Sequence, residues 1–143
     1  MKVKKRLNVS AEAYFSLLQH YLLKDLRKTV SKSIRRSDLK KGYRFDKVYH
    51  TETGEDFISH QEITAMEPGV MYQLRYSIPK GYQIITHRIT AIDDYHIQVE
   101  YEEEIESSDL GIRFRKITQK RKSKKAMMEA LKRLETEIIT SKS

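Results

Sequence analysis

The stretch from residue 70 to residue 106, VMYQLRYSIPKGYQIITHRITAIDDYHIQVEYEEEIE, decides the fold. Apolar and polar side chains alternate in it, most clearly over 70–78 and 97–105. An alternation of period two is typical of a strand with one buried face, and the Pro79-Lys80-Gly81 sequence that follows the first run predicts a turn. The stretch therefore predicts consecutive antiparallel strands joined by short connections.

Working outward, the same alternation continues toward the N-terminus. Every glycine and proline falls between Gly42 and Gly111, so breaks in regular structure are concentrated in the middle of the chain. Turns are predicted around Gly54 and at Pro68-Gly69, and the strands that they separate are expected over 43–49, 56–66, 70–78, 82–92 and 96–106. Short turns between neighbouring strands predict an antiparallel meander with one covered face.

The N-terminal flank predicts a strand followed by helices. Residues 3–9 alternate as a first strand, and Ser10 is placed as the N-cap of a long amphipathic helix that extends to about Val30. Residues 37–41 predict a short second helix, with Ser37 as its cap and Gly42 as its left-handed stop.

The C-terminal flank predicts one long helix. From about Lys124 onward apolar residues recur at helical spacing, with Met127, Leu131 and Leu134 on one face. Residues 112–123 fit a strand, a loop or a helix. The whole pattern corresponds to an α+β protein with an antiparallel sheet of about six strands, and we expect residues 1–143 to form one domain.

Composition excludes several classes of function. The chain of 143 residues contains no cysteine, which removes thiol chemistry and thiolate metal sites. The five histidines show no helical pairing with an acid between them, and no glycine-rich phosphate loop is present, so we expect neither a metal nor a cofactor. No apolar run is long enough for a membrane span or a signal peptide, and we expect a cytoplasmic protein.

Most of the net charge of +8 comes from one segment. Residues 113–125 hold eight of the 28 basic residues and no acid, while 97–112 hold six acids and no base. The basic segment could bind the phosphates of RNA or an anionic membrane, but such runs are usually solvated or paired internally, and we expect the acidic strand to neutralise it. The candidate anion-binding residues are Arg113, Arg115, Lys116, Lys120, Arg121, Lys122, Lys124 and Lys125.

Two stretches resemble a known superfamily. VKKRLNVSAEAYF (3–15) is similar to the start of START-like (SRPBCC) domains, where a strand enters a helix through a small residue and an acid, and ITAMEPGVMY (63–72) resembles their strand-turn-strand unit. The order of elements is that of the helix-grip fold, although six strands are predicted and larger members have seven. More narrowly, the whole chain resembles a bacterial family of domains of unknown function within that superfamily.

The resemblance implies a curved antiparallel sheet that grips the C-terminal helix, with a cavity between them that many relatives use for apolar or amphipathic small molecules. Other members act as cyclases, lipid carriers or chaperone-binding modules, and the fold does not choose among these activities. On this basis the candidate ligand-binding residues are Leu74, Tyr76, Ile85, His87, Ile89, Val99, Tyr101, Glu103, Met127 and Leu131.

The last predicted hairpin brings three titratable side chains together. Directly opposed residues of an antiparallel pair share a face, and two registers satisfy the alternation. A three-residue loop at 93–95 places His87 opposite Tyr101, whereas a shift by two residues places it opposite Glu103. In both registers these three residues are neighbours on the apolar face, which we expect to look toward the C-terminal helix.

This cluster has two interpretations. A histidine beside a carboxylate and a phenol could bind a polar head group or act as an acid or base. Buried polar groups in a sheet more often satisfy one another, and that structural role is favoured for His87. Tyr72, Tyr76 and Tyr101 fit the lining of a cavity and an ordinary core equally well.

The sequence therefore leaves three functional hypotheses. The first is a binder, without catalysis, of a small apolar or amphipathic molecule held between the sheet and the C-terminal helix. The second is a module that contacts a protein partner or an anionic surface through residues 113–125. The third, which we favour least, is an enzyme that uses His87, Tyr101 or Glu103.

Overall fold

A computed structural model describes residues 1–50, 53–107 and 110–141 of the chain, with the side chains of 110–122 outside the description. Over these residues six strands, two helices and one 3₁₀ turn follow one another. They are β1 (Lys2–Leu7), α1 (Ala11–Thr29), the 3₁₀ turn (Arg36–Asp38), β2 (Arg44–His50), β3 (Asp56–Glu67), β4 (Met71–Ile78), β5 (Gly81–Asp93), β6 (His96–Glu106) and α2 (Leu110–Ser141).

The six strands form one antiparallel sheet in the order β1-β6-β5-β4-β3-β2. Neighbours from β2 to β6 are consecutive in sequence, so the predicted meander is confirmed. The first strand returns to pair with β6, where Val3 lies opposite Tyr101 and Leu7 opposite Ile97. The first and last strands are thus neighbours, and β1 forms one edge of the sheet.

The predicted turn at Pro68-Gly69 forms a tight connection between β3 and β4. The Val70 amide donates to the Glu67 carbonyl at 2.9 Å, and Gly69 adopts a φ of +73°. Proline at the second position and a left-handed residue at the third are the requirements of a type II turn, and glycine adopts that conformation at little cost. The local sequence therefore determines the direction in which β4 returns.

Helix α1 begins where the sequence predicts. The Ser10 hydroxyl accepts a hydrogen bond from the Ala13 amide at 3.1 Å, which satisfies one free donor of the first turn. Its buried side chains, Tyr14, Phe15 and Leu26, pack against the sheet. The helix ends at Thr29, within one residue of the expected end.

A short second helix is present, but it is shorter than the predicted 37–41 and Ser37 is not its cap. A single 3₁₀ turn over Arg36–Asp38 is present, and the Asp38 carboxylate accepts the Arg35 amide at 2.8 Å. Gly42 has the expected positive φ of +92°, but its amide already donates to the Ile63 carbonyl of β3 at 2.8 Å. Pairing with β3 therefore competes with helix formation immediately before β2.

Helix α2 begins at Leu110, so the ambiguous residues 112–123 are helical. Its C-terminal half packs on one face of the sheet, over β1 and β6. There Leu131 and Ile138 join Leu7 and Val99 in the larger core cluster. A smaller cluster around Leu26, Ile34 and Ile63 lies under the other end of α1. We call the sheet face that carries both clusters the inner face.

The outer face of β6 carries an ion-pair network. Glu100 contacts Lys2 at 3.2 Å and Arg88 at 3.2 Å, and Arg88 also contacts Glu102 at 2.8 Å. We expected the acidic strand to neutralise the basic segment 113–125. Glu100 and Glu102 point to the side of the sheet opposite the helices, because they alternate with Val99 and Tyr101, and their cations come from β1 and β5. Most basic side chains of 113–125 lie outside the description, so pairing with that segment stays a prediction.

Candidate functional site

The sheet register arranges the inner face of the central strands in three rows of directly opposed residues. The first row contains the polar residues Gln61, Tyr76 and Gln83, with Ile105 of β6 opposite Gln83. The second row is mainly apolar and contains Ile63, Leu74, Ile85 and Glu103. The third row contains Met66, Tyr72, His87 and Tyr101. We call these residues together the inner-face site.

The hairpin register is the first of the two predicted. His87 lies opposite Tyr101 and Ile89 opposite Val99, with a bulge between Ala91 and Asp93 near the turn. Glu103 is therefore two residues along from Tyr101 on the same face, as both registers required. The structure brings the predicted trio of His87, Tyr101 and Glu103 together.

His87 lies among tyrosines from three elements. Its ring centroid is 5.0 Å from that of Tyr101 and 5.9 Å from that of Tyr72, and its Nδ1 atom lies 3.5 Å from the hydroxyl of Tyr14 on α1. Burial lowers the pKa of His87 to about 4, since a charged imidazole would lose its hydration. Tyr14 of α1 contacts this histidine, and the C-terminal helix covers the same face beside it, where Leu131 shares a core cluster with Tyr101.

Tyr101 and Glu103 form a direct pair. The Tyr101 hydroxyl donates to the Glu103 carboxylate at 2.5 Å. Burial, and then the neighbouring carboxylate, raise the pKa of the Tyr101 phenol well above its usual value. The same two causes raise the pKa of Tyr76 to about 12. Both phenols therefore stay protonated at neutral pH and can donate hydrogen bonds from the inner face.

Two buried glutamines complete the polar row, and the sequence-based candidates did not include them. Gln61 is 6% exposed and Gln83 is 5% exposed. The Gln61 amide donates to the Tyr49 hydroxyl and to the Ser59 hydroxyl, each at 3.3 Å. Both glutamines keep the period of two with Ile63 and Ile85, so their place on the inner face was readable from the alternation.

Accessibility on the inner face varies from residue to residue within each row. Tyr101 and His87 are 7% and 8% exposed, whereas Tyr49, beyond the first row, is 42% exposed. Leu74, Tyr76, Ile85 and Glu103 are all half-buried, although their strands are paired on both sides. The more accessible part of the inner face is thus the group Leu74, Tyr76, Ile85 and Glu103, whereas Gln61, Ile63 and Gln83 in the same two rows are buried.

The remaining predicted ligand-binding residues lie in or against the core. Ile89 and Val99 are 7% and 0% exposed, and Leu131 is 0% exposed. All three belong to the larger core cluster, and Met127 packs against it while half-buried. Their separation from the more accessible residues places them on the closed side of the inner face.

Several hollows border α1 in the part of the chain that the structure describes. One groove of about 320 Å³ separates α1 from the end of α2 and is lined by residues such as Leu17, His20 and Ile138. A second, of about 570 Å³, lies between α1 and the Pro68-Gly69 turn. The gap between α1 and Tyr72 holds only about 10 Å³, no more than one water needs, so α1 seals the third row. The two larger grooves are open surface features away from the inner-face site.

Six of the eight predicted anion-binding residues lie outside the described side chains. They are Arg113, Arg115, Lys116, Lys120, Arg121 and Lys122. The other two, Lys124 and Lys125, are half-buried and exposed, respectively. Among the described residues, no group of three or more His, Cys, Asp or Glu side chains is placed to hold a metal ion. In the same part of the chain, no helix has the length and apolar character that crossing a membrane requires.

The comparison with protein families identifies the chain. A family model described as a domain of unknown function, DUF3284, matches residues 1–130. The chain belongs to the DUF3284 family. The predicted kinship with a family of domains of unknown function is thereby confirmed. No curated protein matches this DUF3284 chain in sequence.

Solved structures share the fold of this DUF3284 chain at low identity. SA2116 of Staphylococcus aureus, a protein of unknown function, is 13% identical with a TM-score of 0.53, over 99% of this chain and 94% of its own. MLL2253 of Mesorhizobium loti is 15% identical with a TM-score of 0.60, over 100% and 98%. Ara h 8.0201 is 12% identical with a TM-score of 0.53, over 98% and 97%.

Identities this low establish the fold alone. With the six-stranded antiparallel sheet and the C-terminal helix, these neighbours confirm the predicted helix-grip α+β class. The wider START-like superfamily is compatible with them.

Proposed function

We propose that this protein binds a small amphipathic molecule at the inner-face site. The molecule's apolar part lies on Leu74 and Ile85, and its polar part meets the Glu103 carboxylate and the hydroxyls and amides of the flanking rows. The proposal keeps the predicted START-like mode of binding but moves its centre from the closed core around Leu131 to the more accessible strands β4 and β5.

The observation that carries the proposal is the exposure of β4. All eight of its residues are half-buried, including those of its inner face, although β3 and β5 pair with it on both sides. A central strand whose inner face served only as core would be closed, because interiors pack without gaps. Apolar surface bordered by a few convergent polar groups is the usual composition of a small-molecule site.

A neutral fluorescent probe tests the proposal. N-phenyl-1-naphthylamine emits strongly in apolar surroundings, and we expect saturable enhancement with the wild-type protein. Ile85→Trp fills the second row and is expected to abolish the enhancement. Ile84→Trp is the matched control, because the neighbouring isoleucine lies on the outer face opposite Arg75 and should leave probe binding intact.

Native mass spectrometry of protein purified from its own host extends the test to the natural ligand. A small molecule that co-purifies with the wild type and the Ile84→Trp variant, but not with Ile85→Trp, would support the proposal. Absence of saturable probe binding, or equal loss in both variants, would refute it.

Catalysis by His87 has less support than binding. The imidazole is 8% exposed and enclosed by Tyr14, Tyr72 and Tyr101, so a substrate would have little access to it. A general acid or base must come within hydrogen-bond reach of the reacting group. We therefore assign His87 to the closed, supporting side of the site.

Binding of an anionic surface or a protein through residues 113–125 stays a prediction. Its test is retention on RNA or anionic vesicles at moderate salt, lost when Lys120, Arg121, Lys124 and Lys125 are changed to glutamine. Wild-type protein that does not bind either surface would exclude the anionic-surface form of the prediction.

A further inference from the structure

Gln83 presents an unused hydrogen-bonding group at the inner-face site. Gln83 is 5% exposed, and its side-chain amide makes no hydrogen bond to the described part of the chain. In the same part, no fully enclosed side-chain nitrogen or oxygen lacks a partner. The amide atoms of Gln83 must therefore touch accessible space, and the register directs them to the inner face beside Tyr76.

The neighbours of Gln83 offer both kinds of hydrogen-bonding partner. A glutamine amide donates through nitrogen and accepts through oxygen, and the Tyr76 hydroxyl can do both. On the next row, Glu103 accepts a hydrogen bond from Tyr101 through one oxygen, which leaves capacity to accept another. A bound head group would therefore meet at least one donor and one acceptor.

The charge of the site is negative. Glu103 lies on the second row, and none of the described strand residues in the three rows is a lysine or arginine. The nearest inner-face lysine toward β2 is Lys47, whose ammonium is already bound to Asp25 at 2.6 Å. The Met1 ammonium also lies beside Glu103, but it already donates to the Glu103 carbonyl at 2.9 Å. An anionic head group would therefore lose its hydration beside the Glu103 carboxylate without gaining an unengaged cation from the three rows, which is costly in a partly buried site.

We infer that the inner-face site selects ligands whose head group both donates and accepts hydrogen bonds and carries no negative charge, such as a primary amide. Ligands with the same apolar body that end in a carboxylate are rejected. The inference rests on the proposed function, because it names the ligand class for the same site. The apolar second row binds the body, and Gln83, Tyr76 and Glu103 bind the head.

Two compounds with identical chains test this selection. Octanamide and octanoate each compete against N-phenyl-1-naphthylamine, and we expect octanamide to displace the probe at a concentration about tenfold lower than octanoate. A tenfold ratio corresponds to one or two hydrogen bonds that the amide gains, together with the repulsion between octanoate and the Glu103 carboxylate that the amide avoids.

Two substitutions test whether Gln83 and Glu103 cause the difference between octanamide and octanoate. Gln83→Leu removes the free amide with little change in volume, and it should weaken octanamide severalfold more than it weakens octanoate. Glu103→Gln removes the negative charge and should bring octanoate closer to octanamide. Gln98→Leu, an exposed glutamine on the outer face of β6, is the control and should change neither affinity.

Failure of this inference is distinguishable from failure of the proposed function. If octanoate binds as tightly as octanamide, or octanamide does not bind, head-group selection is wrong, although probe binding lost only in Ile85→Trp still supports the inner-face site. If Gln83→Leu and Gln98→Leu behave alike, the role of Gln83 is refuted. If the probe itself does not bind, both proposals fail together.

Discussion

The Nδ1 atom of His87 lies 3.5 Å from the hydroxyl of Tyr14, a residue 73 positions earlier in the chain that is 0% exposed. This contact joins the first helix to the fifth strand at the closed end of the inner face. The other groups around the imidazole are the rings of Tyr72 and Tyr101, so no described carboxylate touches it directly. A neutral histidine is therefore part of the folded state.

We expect this burial to make the protein less stable in acid. The pKa of His87 falls from 6.5 to about 4 on folding, so between these values the unfolded chain binds more protons than the folded chain. The free energy of unfolding should therefore decrease as pH falls from about 6.5 to about 4, by about 3 kcal/mol from this residue. Urea denaturation at pH 7 and pH 4 measures the decrease.

His87→Phe isolates this contribution, because phenylalanine has a similar shape and no titratable group. The variant should lose less stability between pH 7 and pH 4 than the wild type does. His20→Gln, on an exposed position of α1, should retain the wild-type difference. An acid-induced loss of unchanged size in His87→Phe would show that other groups cause it.

The buried tyrosine side chains should make the protein less stable at high pH. Burial raises the pKa values of Tyr14 and Tyr72 well above 10, so the unfolded chain releases their protons first. The free energy of unfolding should then fall as pH rises above about 10. Tyr72→Phe should make this loss shallower, whereas Tyr95→Phe, at a position 67% exposed, should not. Urea denaturation at several alkaline pH values, with ultraviolet absorbance reporting ionisation, tests both variants.

The sheet was predictable because its signals are local. Alternation over 70–78 and 96–106 assigns the inner face residue by residue, and Pro68-Gly69 specifies a turn whose geometry few other pairs adopt. Once strand and face are known, parity leaves only two registers for His87. Choosing between them depends on the bulge near Asp93, which no spacing rule specifies.

The elements that were missed depend on contacts distant in sequence. Residues 37–41 have a helical pattern, but the Gly42 amide is bound by Ile63 of β3. Residues 112–123 lack a clear apolar stripe, although their lysine, arginine and glutamine residues favour a helix once Leu131 and Ile138 anchor its C-terminal half.

The site was predictable in part for the same reason. His87, Tyr101 and Glu103 came together because a single hairpin holds them. Gln61 and Gln83 belong to different strands, and their meeting across Tyr76 requires the register of β3, β4 and β5 together. Partial exposure of β4 is also invisible to periodicity, since alternation identifies a covered face without showing how closely it is covered.

The turn between β4 and β5 allows a stability prediction at Gly81. A Cβ atom on this residue would lie 2.4 Å from the Glu106 carbonyl oxygen and 2.8 Å from the Cβ of Ser107. Because one contact is backbone, the end of β6 would have to move. We expect Gly81→Ala to lower the free energy of unfolding by about 1–3 kcal/mol.

The adjacent residue supplies the control for Gly81. Lys80 has a φ of +67°, a conformation that glycine adopts more readily, and it makes the same two-residue turn. Lys80→Gly should therefore be more stable than Lys80→Ala by about 1 kcal/mol, since only glycine relieves the strain. A Gly81→Ala variant with an unchanged urea midpoint would contradict the close approach of β5 and β6.

The outer face makes a final prediction about Glu100, whose side chain is 20% exposed between two strands. Burial raises its pKa, but the hydrogen bond and charge of Lys2, together with Lys4 and Arg88, hold the pKa below its usual value. Glu100→Gln leaves these three cations facing one another, and we expect a loss of about 1 kcal/mol of stability at low salt. At about 1 M sodium chloride the loss should shrink, because screening then acts within about 3 Å.

Glu129→Gln is the control for this prediction. It removes the same charge from an exposed site on α2, so it should cost less stability and respond less to salt. Equal effects of the two substitutions in urea denaturation would mean that net charge, rather than the network on β1, β5 and β6, determines the result.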